Sequence, residues 1–192
     1  MAPKIEFRRS YIYDHNLKPL RSKDYVFPSD KILNNQIKKL EKLWNKDGSK
    51  ILTEIAKVLK LRWAQKNTTC YVTAGVYAFS DPLTISYNKN TDSMLDELTH
   101  EMIHRLWSEE KNWKALTPNW QALQRKYKGI SMTTRSHFPL LAVHKHIFLK
   151  FYGKKRLEAE INSMIHSDYI KAWDIVNKDG YEHIIKQLTK GR

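Results

Sequence analysis

The stretch Leu95-Asp96-Glu97-Leu98-Thr99-His100-Glu101-Met102-Ile103-His104-Arg105-Leu106-Trp107 decides how this chain is read. From Met94 onward the apolar pattern has helical period. On a helix His100 and His104 lie four residues apart and share one face. Two imidazoles one turn apart can reach the same metal ion. Glu101, beside the first of them, can serve as general base toward a water held there. Zinc suits this donor set, because it takes imidazole and carboxylate ligands tetrahedrally and keeps one position for water. Glu97, one turn earlier, is expected to support Glu101.

Working outward, residues 69–79 are rich in β-branched and aromatic side chains and read as a strand, with Gly75 as a bulge. Ser80-Asp81-Pro82 reads as a turn, and 83–87 as a second strand antiparallel to the first. Thr91 or Asp92 is placed to cap the motif helix. Toward the N-terminus, 3–13 alternates as a strand and 14–28 reads as a loop. Ser29-Asp30 offers helix-cap chemistry. Ile32, Leu33, Ile37, Leu40, Leu43 and Trp44 make one helical face, Lys46-Asp47-Gly48-Ser49 punctuates it, and Ile51, Leu52, Ile55, Val58 and Leu59 make another. Downstream, Pro118, Gly129, Pro139, Gly153 and Gly180 divide a helical half. The expectation is one α+β domain over 1–192, mainly helical, with a small antiparallel sheet before the motif helix.

The order of a strand pair, the His100-Glu101-Met102-Ile103-His104 helix and further helices resembles the zincin metallopeptidases. A downstream Glu-bearing helix would place it nearer the gluzincin branch, and the compact size resembles the minigluzincins. The resemblance covers about 69–167 as a catalytic core and leaves 1–68, an N-terminal strand and helices, outside it. It implies a zinc-dependent hydrolase of peptide bonds, and a strand of 69–87 that binds substrate backbone by strand addition. Arg105 occupies a position usually uncharged in such peptidases.

A catalytic zinc needs a third protein ligand. Glu158 is the preferred candidate, because it borders the apolar face of Leu157, Ile161, Met164 and Ile165. The gluzincin pattern places an Asp four residues after the ligand Glu; here position 162 is Asn, and the same spacing from Glu160 meets Met164. His144 and His137 are the alternatives. Seven helical residues span about 10 Å, so these two are not expected to bind one ion together. Whichever is not a ligand, His137 above all, could stabilise the oxyanion.

Composition bounds the rest. The chain has 192 residues and a net charge of +14, with 41% hydrophobic residues, enough for a packed core. One cysteine, Cys70, rules out an intrachain disulfide and an all-Cys zinc cage. Charges interrupt the N-terminal apolar residues, so no signal-peptide core is expected, and no run is long enough to span a bilayer. A cytoplasmic protein acting on peptides or proteins, with no membrane partner, is the expectation. The positive charge also fits a nucleic-acid partner. The rival reading is therefore a basic nucleic-acid-binding module, or a protease acting on DNA-bound proteins. Lys154-Lys155-Arg156 reads as a solvated turn, and Trp107, Trp113, Trp120 and Trp173 as packing residues.

Overall fold

The computed structural model describes residues 1–17 and 25–192. Residues 18–24, part of the expected 14–28 loop, lie outside the described residues. The elements are β1 (Lys4–Arg9), α1 (Tyr11–Leu17), α2 (Asp30–Leu59), β2 (Asn67–Thr73), β3 (Phe79–Ser80) and β4 (Leu83–Ser86). They continue with α3 (Thr91–Ser108), α4 (Glu110–Arg125), α5 (Met132–Phe151), α6 (Lys154–Ser163), α7 (Ser167–Asp179) and α8 (Tyr181–Leu188). The protein is α+β and forms two compact units: Met1–Leu52 with Trp63–Arg105, and Thr53–Arg62 with Leu106–Arg192. Among the described residues, no helix is long and apolar enough to cross a membrane.

The first unit holds a sheet in the order β1-β2-β4-β3. It is mixed, not the small antiparallel sheet expected. β1 runs parallel to β2, with Lys4 opposite Asn67, and β2 runs parallel to β4, with Tyr71 opposite Thr84. Only β3 is antiparallel, with Phe79 opposite Thr84. The physical reason is that the expected strand over 69–79 does not run through. After Thr73, the Ala74 N–H donates to Asp14 Oδ1 at 2.7 Å, and Ser86 Oγ donates to the Val76 carbonyl at 2.6 Å. These bonds draw the backbone out of the ladder, so the strand resumes only as the two-residue β3 before the Asp81-Pro82 turn. Gly75 is not a bulge residue. A Cβ there would lie 3.3 Å from the carbonyl oxygens of Tyr13 and Asp14, so glycine permits the close passage of α1.

Inward residues of the sheet (Ile5, Cys70, Val72, Leu83 and Ile85) are buried, as are Leu33, Leu40, Trp44 and Ile51 of α2. The break expected at 46–49 is absent: α2 is one helix of 30 residues. Gly48 serves Trp44 one turn earlier, because a Cβ at 48 would sit 2.4 Å from the indole. Continuous apolar periodicity on both sides of Gly48 outweighs the cost of about 1 kcal/mol for glycine inside a helix. Ser29 caps α2 as expected, accepting the Ile32 N–H at 3.4 Å.

In the second unit α5 packs against α6, α7 and α8, and α4 packs against α5 and α8. Pro139, expected near a helix start, lies inside α5, whose cap is Ser131 accepting the Thr134 N–H. Lys154-Lys155-Arg156 is the first turn of α6, not a free turn, and follows Gly153 at φ +84°. The Arg156 guanidinium lies 4.1 Å from the Tyr152 ring centroid. Of the four tryptophans read as packing residues, Trp107 and Trp173 are buried, while Trp113 is exposed and meets Trp120 at 5.3 Å in a tilted pair.

Candidate functional site

The motif forms a helix as its periodicity requires. α3 begins at Thr91, but its cap is neither Thr91 nor Asp92. Asn90 Oδ1 accepts the Asp92 N–H at 2.9 Å. The Thr91 hydroxyl is engaged instead by Gln36 of α2, whose amide nitrogen also meets the Asn88 and Lys89 carbonyls at 2.9 and 3.0 Å. Gln36 is buried, so this set of bonds ties the loop before α3 to α2.

Leu95, Leu98, Met102 and Leu106 are buried and anchor one side of α3. Glu97, His100, Glu101 and His104, at i, i+3, i+4 and i+7, make a polar stripe on another. The His100 and His104 rings stand 5.0 Å apart between centroids at an interplanar angle of 68°. Both are half-buried, whereas Glu101 is only 7% exposed. Burial first, and the charge of Glu97 second, push the Glu101 carboxyl up to about 8. Glu97 is itself held: its Oε2 accepts the Ser86 N–H at the end of β4 at 2.7 Å. Cys70 is buried on β2, and burial, then Glu97 and Glu101, raise its thiol pKa, so it is no thiolate nucleophile.

Arg105 accounts for its unexpected charge. Its Nη1 donates to the Ser80 carbonyl at 2.8 Å and to Asp81 Oδ1 at 3.3 Å, and Nη2 donates to Gln65 Oε1 at 2.8 Å. The guanidinium fastens the motif helix to the β3–β4 turn. No local pattern announces this clamp or the Gln36 bridge, because both depend on partners far along the chain.

The candidates for a third ligand lie in the second unit. Glu158 on α6 is exposed, with 56% of its side chain accessible, and meets Lys154 at 3.4 Å. Glu160 lies on the same helix. His144 on α5 is 2% exposed, its ring 4.6 Å from that of Phe148. His137, also on α5, is half-buried. Its Nδ1 lies 2.8 Å from the Thr133 carbonyl, which can only accept, so the proton is on Nδ1. Nε2 then carries the lone pair, and the Tyr169 hydroxyl donates to it at 3.0 Å. Burial, the main cause, lowers the His137 pKa and favours this neutral form. Thr134, one turn before Phe138, bonds Asp168 at the start of α7, and Ser131 does the same at 2.7 Å.

The donor chemistry on α3 is of a kind zinc accepts: paired imidazoles on one face and a buried carboxylate beside them. No family model, curated protein or solved structure matches this chain.

Proposed function

We propose that this chain is a zinc-dependent peptidase. The observation that carries the reading is the α3 stripe, where His100 and His104 stand 5.0 Å apart and Glu101 lies buried beside them. A buried carboxylate with a neighbouring acid is expensive unless a cation or a proton meets it. Structural helices rarely keep such a set without use for it.

His100 and His104 would hold the metal. His137 is the third ligand we favour, because the Thr133 carbonyl orients the ring and puts the lone pair on Nε2, where the Tyr169 hydroxyl would have to give way to the metal. Glu158, solvated and paired with Lys154, has no comparable preparation. Zinc, when bound, polarises a carbonyl and makes water a better nucleophile near neutral pH. With a cation held beside it Glu101 would be kept as the carboxylate, take the proton of the attacking water and return it to the leaving amine nitrogen. Glu97 keeps the carboxylates in register through its bond to the Ser86 N–H. Within 69–87, β3 is the segment at an edge of the sheet, and substrate backbone would add there.

Metal analysis of the purified full chain tests the reading. About one zinc per chain is expected for a single catalytic site. His100→Ala, His104→Ala and His137→Ala should each lose it, and a chelator should abolish cleavage of a peptide library. Full zinc occupancy in the His100→Ala and His104→Ala variants would overturn the proposal.

A further inference from the structure

The C-terminal end of α4 and the first turn of α5 enclose a groove of about 220 Å³ lined by Gln121, Gln124, Arg125, Lys128 and Arg135. Three of the five side chains are cationic, two are amides, and none is a carboxylate. Arg125 and Lys128 are exposed, so their charges face solvent at the rim. Neither they nor Arg135 forms an ion pair among the described residues.

Two donors on residues that line the groove lack an acceptor. Gln124 is 8% exposed, and its Nε2 has no hydrogen-bond partner among the described residues. The same holds for Nε of Arg135, which is buried although the rest of that side chain is half-buried. Buried donors are paired in folded proteins as a rule, so two unpaired ones on residues that line the same groove mark it as short of acceptors. Water alone would meet the amide, but it leaves three positive charges without a counterion.

From this juxtaposition we infer that the groove is a binding site for a phosphate group. Two guanidiniums present planar pairs of donors that match phosphate oxygens, and the lysine adds a point charge. A phosphate offers several acceptor oxygens and needs no donor in return, which matches a lining poor in acceptors. The volume is suitable: at roughly 30 Å³ per water, the groove has room for a phosphate with the first atoms of its ester. The groove involves none of the residues assigned above to zinc.

Inorganic phosphate, titrated into the ¹⁵N-labelled full chain in chloride buffer, tests the site. The expected result is a saturable shift of the Arg135 Nε–H and Gln124 side-chain amide resonances, with no such response to acetate. The Arg125→Glu/Lys128→Glu double variant changes only exposed positions and should fold normally. It should weaken phosphate binding about tenfold or more, as the loss of charge-assisted bonds implies. Arg135→Lys keeps the charge but not the fork, and should weaken binding as well. A short single-stranded oligonucleotide then separates the sources of the phosphate. Competition with phosphate, sensitive to the double variant, assigns a phosphodiester backbone; binding of phosphate without competition assigns a free monoester. No saturable shift, an equal response to acetate, or unchanged affinity in the double variant would overturn the inference.

Discussion

Two mostly buried carboxylates in this protein are driven in opposite directions. On α3, Glu101 has burial and the charge of Glu97 acting together, and its carboxyl is pushed up to about 8. On α2, Glu54 has 12% of its side chain exposed, and burial alone would raise its pKa too. There, bonds from Lys150 at 2.6 Å and His146 at 2.9 Å outweigh burial and hold the carboxyl below its ordinary range. Burial sets the stakes, and the sign of the neighbour decides the outcome. Glu54 has its cations built in and is a structural ion pair. Glu101 stands beside two imidazoles and a second acid, and burial together with that acid favours its protonated form.

The largest expected effect strikes the Glu101 side of the comparison. Glu101→Gln should lower kcat/KM for a cleaved peptide by about 10²–10⁴-fold, the range of general acid–base catalysis, while zinc content and far-UV circular dichroism stay unchanged. An unaltered rate would place Glu101 among ordinary buried polar groups, with Glu54.

A smaller effect should follow from releasing the clamp that holds α3. Arg105→Met removes charge-assisted bonds to Ser80, Asp81 and Gln65. Urea unfolding should show a loss of about 1–3 kcal/mol, including the carbonyl left unpaired. A loss under 0.5 kcal/mol would mean that the hairpin is held without it.

Glu54 gives the pH-dependent test. Its folded pKa is lowered, so its stabilisation is present above the ordinary carboxylate range and disappears as pH falls through the folded value. Glu54→Gln should cost about 1 kcal/mol at pH 7, since both partners are partly solvated, and nothing at pH 2–3. An equal cost at both pH values would assign the effect to packing.

The smallest expected effect belongs to Glu158, the exposed counterpart of both. Glu158→Ala should change stability by less than about 0.5 kcal/mol and leave zinc bound. His137→Ala should weaken zinc by more than the roughly 10–100-fold that follows loss of an outer hydrogen-bond partner. The reverse pattern would return the third-ligand role to the carboxylate expected from the residue pattern.

What could be read along the chain and what could not divide by the range of the interactions. The α3 helix, the Ser29 cap, the Asp81-Pro82 turn and the helical C-terminal half were legible, because periodicity and capping act within a few residues. The pairing of His100 with His104 was legible for the same reason: four residues on a helix is one turn. The direction of β4 against β2 was not. It depends on Asp14 and Ser86 capturing the backbone of 74–76, and neither partner is adjacent in the chain. Gly48 looked like a stop because its role toward Trp44 appears only once the helix exists.

The sequence by itself determined an α+β chain with net charge +14, a single cysteine, and two imidazoles and a carboxylate on one helix. Local propensity and spacing suffice for these, since each rests on composition or on a single helical turn. Tertiary structure alone decided the rest: that the sheet is mixed, that Arg105 is a clamp, that Glu101 is buried, and that Tyr169 donates to His137 Nε2. Each of those outcomes depends on desolvation or on a hydrogen bond to a distant residue. The free energy of a charged or polar group is set by what surrounds it in space, and the chain specifies those surroundings only by folding.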